Sequence, residues 1–183
     1  HGECDFVKEV SAPLPIAVIA WLLGVPRSDW HLLFDWTNRV IGSGDPEFQK
    51  EGETASDTAQ AAMTELFTYF AALVEEKKKK PDDNLISLFT QLEYEGKKLE
   101  VMDVLAWCFI IVIAGNETTR NGTTGGMLAF VQNPDQLQKL QRQPELLAPA
   151  VEEVVRWSSP IIHFARTATA DTEVRGQAIR EGE

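Results

Sequence analysis

The sequence predicts a mainly α-helical domain with one long central helix and a short β-hairpin near its C-terminal end. Over most of its 183 residues, apolar side chains recur at intervals of three and four, the spacing of an amphipathic helix. In residues 161–179, apolar and polar side chains instead alternate and β-branched side chains are frequent, which is typical of a hairpin. Residues 104–114 contain no polar side chain, so the helix that carries them is expected to lie in the interior.

Two helices are predicted before residue 46. The first lies within residues 5–25, is apolar nearly all round, and is therefore expected to be buried. The second is amphipathic, is expected to be capped by Ser28 and Asp29, and breaks in the glycine-rich residues 42–46. The first is thus predicted to be a core helix and the second to be partly exposed.

A long amphipathic helix is predicted over residues 54–80, and Asp82 or Asp83 is expected to cap the next helix. Residues 93–98 predict a turn between two very short strands. The central helix is predicted over residues 99–132, two further helices over 134–142 and 144–157, and the strands of the terminal hairpin over 161–169 and 172–179.

Composition and charge narrow the class of protein. A chain of this length with 44% hydrophobic residues suffices for one core, so we expect one domain or part of one. The net charge of -11 repels phosphate backbones, which predicts no nucleic-acid partner. The basic run Lys77–Lys80 is bracketed by acids and is predicted to be a solvated helix end without function.

The two cysteines, Cys4 and Cys108, form no Cys-x-x-Cys motif or Cys/His cluster. The sequence therefore predicts neither a zinc site nor a disulfide framework, and both thiols are expected to be small buried hydrophobes. The apolar run is shorter than the roughly 20 residues of a bilayer span, and no signal peptide is recognisable. A soluble cytoplasmic protein without a membrane span is expected.

An acid and two hydroxyls interrupt the central helix at residues 114–119, Ala-Gly-Asn-Glu-Thr-Thr. Glu117 is expected to be carried into the interior, and a buried acid beside hydroxyls is typical of proton transfer. Glycine and threonine crowd residues 115–126, where a threonine hydroxyl can bond back to a carbonyl one turn earlier. We expect a bend or widened turn there that opens a groove beside a flat ligand, the alternative being a close crossing with a neighbouring helix.

Four later residues are also candidate site residues. Glu153 and Arg156 share a helix face and can form a bidentate ion pair, as many surface pairs do. Arg166 lies among apolar residues and is expected to bind an anion, either on a ligand or on a protein carboxylate. His163 is more typical of a structural histidine than of a ligand.

The order Ala-Gly-x-Glu-Thr-Thr, then Glu-x-x-Arg, then Arg166 followed by Asp171 and Gly176 resembles the cytochrome P-450 family of haem-thiolate monooxygenases. The resemblance covers essentially the whole chain. It implies that residues 1–183 form the central portion of the P-450 fold, without the N-terminal sheet region and the C-terminal haem-cysteine loop. It is closest to soluble bacterial members.

The resemblance also implies roles for individual residues. The central helix would cross the distal face of haem b, with Glu117 and Thr118 delivering protons to iron-bound dioxygen. Glu153 and Arg156 would be the buried structural pair of the family. Cofactor contacts are expected from Ala114, Gly115, Thr118, His163 and Arg166, the last to a haem propionate, and a substrate pocket from Ile110, Ile113, Ala114, Ile161 and Ile162.

No residue of this chain matches the family's iron ligand, since Cys4 and Cys108 both precede the Glu-x-x-Arg pair. The cysteine is expected beyond residue 183, so this chain is expected to be an internal fragment that is inactive by itself.

The parent enzyme would insert one oxygen atom of O2 into an unactivated C–H bond of an apolar substrate such as a steroid, terpene or fatty chain. Electrons would come from NAD(P)H through a redox partner, with ferredoxin reductase and ferredoxin expected. The alternatives are a non-catalytic helical interaction domain and a degenerate relative.

Overall fold

The computed structural model describes residues 2–49 and 52–183, and helices dominate this part of the chain. The α-helices are α1 (Pro13–Leu23), α2 (Trp30–Ile41), α3 (Ala55–Lys79), α4 (Leu85–Gln91), α5 (Val101–Gln132), α6 (Pro134–Arg142) and α7 (Leu147–Ser158). Short π or 3-10 turns occur at Val7–Ser11, Arg27–Asp29, Pro46–Phe48 and Pro144–Leu146. The strands are β1 (Glu93–Tyr94), β2 (Lys97–Lys98), β3 (Thr172–Val174) and β4 (Gln177–Ile179). The predicted mainly α fold class is confirmed.

The core lies where α1, α2, α3 and α4 surround the first half of α5. Its most deeply buried large side chains include Leu23, Leu33, Leu66 and Phe70, all at 0% exposure. Burial of such side chains contributes about 1.5–3 kcal/mol each. The second half of α5 contacts α6 and α7, so α5 joins the two parts of the fold.

The 32-residue α5 confirms the predicted long central helix. Its mean hydropathy reaches 1.6, so by length and composition it could also cross a membrane, as core helices of many globular domains could. The α-helical pattern is uninterrupted, and the expected widened turn is not formed. A β-carbon on Gly115 would lie 2.9 Å from Ile19, and one on Gly126 would lie 2.6 Å from Val154. At these positions the alternative of close helix crossings is confirmed.

The start of α3 was predicted correctly, but two other caps were not. Thr54 and Asp57 form a capping box at α3, in which each side chain accepts from the other's backbone N–H. At α4 the cap is Asn84, which accepts from Ser87 N at 2.9 Å, so the expectation of Asp82 or Asp83 was wrong.

The second wrong cap is at α2. Ser28 and Asp29 make no capping bond, because the Asp29 carboxylate accepts from the Ser28 hydroxyl and from Tyr69 OH of α3. These bonds lower the pKa of Asp29.

Several burial expectations were also wrong. Helix α1 is buried on one face only, and Trp21 on its other face is 72% exposed. Cys4 is exposed, whereas Cys108 is buried and burial raises its thiol pKa to about 12. Lys77, expected in a solvated helix end, is buried and its Nζ donates to Asp82 Oδ2 at 2.6 Å.

The two hairpins turn through a residue pair with positive φ, Glu95-Gly96 and Arg175-Gly176. Strand β3 pairs antiparallel with β4, with Thr172 opposite Ile179. Residues 161–169 do not form the first strand of this hairpin, contrary to expectation. An alternating sequence becomes a strand only when a neighbouring strand accepts its backbone hydrogen bonds along its length. Within the described part of residues 161–169, Ala168 alone makes backbone-to-backbone hydrogen bonds, to Gly182 and Glu183.

Candidate functional site

Glu117 lies in the second half of α5 with its side chain 22% exposed. Its Oε1 accepts from Asn121 Nδ2 at 3.0 Å, and its Oε2 accepts from Arg120 Nη2. The carboxylate is therefore partly buried and ion-paired, not fully enclosed as expected. The reason is local, since Arg120 follows one helical turn later and reaches the same face of the helix.

Thr118 is half-buried, and its hydroxyl donates to the Ala114 carbonyl at 2.8 Å. This is the predicted back-bond to the preceding turn. No described hydrogen bond joins the Thr118 hydroxyl to the Glu117 carboxylate. The acid and the alcohol are adjacent in sequence, but each is held by a different partner.

Thr118 opens onto an apolar cleft of about 560 Å³ between α5 and α7. The cleft brings Thr118 together with Ile161, two of the predicted site residues. Its other lining residues are largely apolar and include Gly122, Met127, Phe130, Val151, Val155 and Pro160.

The remaining predicted pocket residues do not line this cleft. Ile110, Ala114 and Thr118 follow at intervals of four and so share one face of α5, where Ile110 is 48% exposed and Ala114 is exposed. Ile113 is half-buried on α5, and Ile162 is 91% exposed. The structure thus places three predicted contacts in one row on α5.

Gly115, expected beside the cofactor, turns its open side toward α1. A β-carbon there would meet Ile19 Cδ1 at 2.9 Å. The absence of a side chain at Gly115 therefore allows the close approach of α1 and α5.

Arg166 and His163 are both exposed. The Arg166 guanidinium lies 5.5 Å from the centre of the Phe164 ring and donates to the Ala165 carbonyl at 2.8 Å. In the described ranges no carboxylate pairs with Arg166 and no hydrogen bond engages His163. The expected protein carboxylate partner and the structural role of the histidine are thus not found within these ranges.

Glu153 and Arg156 form the predicted bidentate ion pair, with both N–O distances 2.6 Å. The pair lowers the pKa of Glu153 and raises that of Arg156. The side chains are 58% and 66% exposed, so the expected burial is wrong for this chain. No described segment packs over this face of α7, and Glu153 borders a second cleft of about 480 Å³ between α5, α6 and α7.

Sequence reasoning missed two polar residues of α2. Asn116 Nδ2 donates to Thr37 Oγ1 at 2.7 Å, and Arg120 Nη1 donates to Asn38 Oδ1 at 3.1 Å. Thr37, Asn38 and Asn116 are all buried. The sequence does show that Thr37 and Asn38 are polar residues within the apolar face of α2. It does not show that their partners on α5 are Asn116 and Arg120. These bonds connect α2 to the turn that carries Glu117.

The described residues contain no cluster of three or more histidine, cysteine, aspartate or glutamate side chains arranged to hold a metal ion.

The fold and site define a helical domain in which a long core helix places a carboxylate and a hydroxyl beside an open apolar surface. The model of the family described as Cytochrome P450 matches residues 11–183. The chain belongs to the cytochrome P450 family.

Relatives with assigned activities support this assignment. The chain is 39% identical over its whole length to a steroid C26-monooxygenase of Mycobacterium tuberculosis, covering 40% of that protein. It is 38% identical to a linalool 8-monooxygenase of Pseudomonas putida, with 99% of the chain and 44% of the relative covered. It therefore spans less than half the length of these relatives.

Solved structures show the same fold. A cytochrome P450 of Mycobacterium marinum in complex with pseudoionone superposes with a TM-score of 0.91 at 32% identity, covering 100% of this chain and 44% of that one. A cytochrome P450 of Bacillus megaterium in complex with testosterone gives a TM-score of 0.85 at 32% identity, covering 98% and 47%.

Proposed function

We propose that the protein containing this chain is a haem-dependent monooxygenase that inserts one oxygen atom of O2 into an unactivated C–H bond of an apolar substrate. The observation that carries the proposal is the row Ile110, Ala114 and Thr118, an open face of α5 whose middle residue is small. Family membership supplies the chemistry, and the row supplies a surface against which a flat ring can lie.

The residues present fit haem b on two grounds. Ile110 and Ala114 form an exposed apolar surface on α5 that ends at half-buried Thr118, and Ala114 leaves space at its centre. Arg166 keeps its charge exposed with no carboxylate partner in the described ranges, which suits a propionate. When bound, the haem activates O2, and the iron ligand is expected from a cysteine outside this chain.

The proposed work of this chain is to hold the cofactor and to move protons. Thr118 presents a hydroxyl at the edge of the apolar cleft, and Glu117 beside it is an acid that can exchange protons with water. Because the Thr118 hydroxyl donates to Ala114, its oxygen remains free to accept a hydrogen bond on the cleft side. The apolar side chains around Thr118 limit the access of water, so protons reach the cleft through Glu117 and Thr118.

The substrate class follows from the relatives and from the lining. A steroid, a methyl-branched lipid and linalool appear in the names of similar proteins, and all are largely apolar. The cleft beside Thr118 is lined mainly by aliphatic and aromatic side chains, which favour such molecules. We propose a steroid, terpene or fatty chain as substrate, with Ile110, Ile113, Ile161 and Ile162 among its contacts.

Electrons are proposed to come from NAD(P)H through ferredoxin reductase and ferredoxin, in the cytoplasm.

The test uses the full-length protein reduced under carbon monoxide. A Soret band of the thiolate-ligated type is expected, and incubation with redox partners, isotopically heavy O2 and each substrate class should give a product with one heavy oxygen atom. A thiolate-type band without any product would favour a degenerate relative. Absence of the band would overturn the proposal.

A further inference from the structure

Arg120 bridges two helices with one guanidinium group. Its Nη1 donates to Asn38 Oδ1 of α2 at 3.1 Å, and its Nη2 donates to Glu117 Oε2. The guanidinium is planar, so fixing one edge fixes the direction in which the other edge presents its N–H groups. The position of Asn38 therefore helps to set where the Glu117 carboxylate is held, together with the Asn121 amide that donates to Oε1.

A second hydrogen bond sets the register between the same helices. Asn116, one turn before Arg120, donates to Thr37 Oγ1 at 2.7 Å, and the Thr37 hydroxyl donates to the Phe34 carbonyl at 3.0 Å. Adjacent residues of α2 thus meet positions i and i+4 of α5, which lie on one face. The two bonds form a ladder that opposes sliding of α2 along α5.

Burial distinguishes this ion pair from an ordinary surface pair. The Arg120 and Glu117 side chains are 17% and 22% exposed, against 66% and 58% for Arg156 and Glu153. Asn38 is 8% exposed. Because solvent screens this pair less, its interaction energy depends more strongly on the distance and orientation of the two groups. An exposed pair often contributes negligibly to stability.

We propose that Asn38 is a positioning residue that acts on Glu117 through Arg120 and so sets the efficiency of proton transfer. This inference rests on the proposed function, because it concerns the acid of that reaction. Asn38 lies on α2, outside the motif of α5, and touches neither the cleft nor Thr118 among the described contacts.

The test compares Asn38→Leu with Asn38→Asp and with Asp35→Leu in the full-length protein. Asn38→Leu removes the acceptor at similar volume, and we expect kcat to fall about tenfold with KM unchanged, since a hydrogen bond to a charged group contributes roughly this much. The solvent isotope effect on kcat should rise as proton transfer becomes limiting. Asn38→Asp keeps the acceptor oxygen and should restore kcat. Asp35→Leu, on the same helix but paired with Arg39, should leave kcat unchanged.

Stability provides a readout that needs no turnover. The free energies of unfolding of Asn38→Leu and Arg120→Leu should be non-additive in the double variant, because the two side chains share one bond. Additive effects, or unchanged kcat in Asn38→Leu while the unaltered protein turns over, would overturn this inference alone. A lack of turnover in the unaltered protein would overturn the proposed function and this inference with it.

Discussion

Gly126 of α5 lies directly against Val154 of α7, so that a β-carbon on the glycine would come within 2.6 Å of Val154 Cγ1 and 3.0 Å of Cγ2. Valine has little rotamer freedom in a helix and cannot swing away. The contact fixes the distance between the central helix and the helix that carries the Glu153–Arg156 pair.

Gly126→Ala should therefore destabilise the protein despite alanine's better helix propensity. We expect a loss of about 1–3 kcal/mol, typical of overpacking, measured by denaturant unfolding. Gly122→Ala is the matched control, because its nearest neighbour would be Pro160 Cγ at 3.9 Å, and it should gain up to about 1 kcal/mol. Equal effects of the two substitutions would contradict the close crossing.

Thr37→Val should destabilise the protein by about 1–3 kcal/mol. The substitution preserves shape but removes the acceptor of Asn116, whose other side-chain atom, Oδ1, has no partner among the described residues. Thermal or denaturant unfolding measures the loss. Thr68→Val on the exposed face of α3, where the hydroxyl only bonds back to Thr64, should change stability by less than about 0.5 kcal/mol.

Thr118→Ala should lower the fraction of electrons that end in product and raise peroxide release, because the hydroxyl at the cleft is lost. Glu117→Gln should slow turnover by about 10²-fold, the low end for general acid–base catalysis, with folding little changed. Oxygen consumption, peroxide and product are measured together. Thr64→Ala removes the same kind of back-bond from exposed α3 and should leave coupling intact. Normal coupling in Thr118→Ala would refute the proton role.

Arg156→Ala tests whether other parts of the full-length protein cover the ion pair. As exposed here, the pair should contribute little to stability, because solvent screens its charges. If it is buried in the complete enzyme, as the resemblance implies, its removal should cost about 3–5 kcal/mol and reduce haem content. Arg142→Ala at the exposed end of α6 is the control. We expect the larger loss, and a small one would show that the pair stays solvated.

Acid should weaken the contact between Lys77 and Asp82. The hydrogen bond from the Lys77 ammonium, and to a lesser degree the one from the Ser87 hydroxyl, lowers the pKa of Asp82 below its ordinary value of 3.8. A depressed folded-state pKa contributes stability that is present above the ordinary value and is lost as the pH falls through the lower value. Asp82→Ala should therefore destabilise the protein at neutral pH and flatten its stability profile below about pH 4, measured as Tm against pH. The same slope in both proteins would exclude this contribution.

Helix existence could be predicted because it depends on local spacing. The bounds of α6 follow from proline, which the sequence displays directly. The cap at α2 was mispredicted because the Asp29 carboxylate accepts from Tyr69, which follows 40 residues later in α3, and competition from a distant element is not visible in a local pattern. At α4, Asp82 instead accepts from Lys77 and Ser87, each five residues away, and Asn84 stands at the cap position.

The motif of the central helix could likewise be found from sequence, because an acid and hydroxyls in an apolar run are unusual. The directions in which its side chains point could not be predicted from sequence. Gly115 faces α1, and Glu117 is held by Arg120, which is itself held by Asn38 of α2. Both outcomes depend on how the helices pack, which no single helix specifies.

The sequence by itself determined the helical class, the long central helix and the residues Glu117, Thr118, Glu153 and Arg156 as candidates, since periodicity and motif order are properties of the linear chain. Only the tertiary structure decided that α2 reaches the acid through Arg120 and that the glycines of α5 receive Ile19 and Val154. The physical reason is that burial and hydrogen-bond partners are set by close packing between elements far apart in the chain.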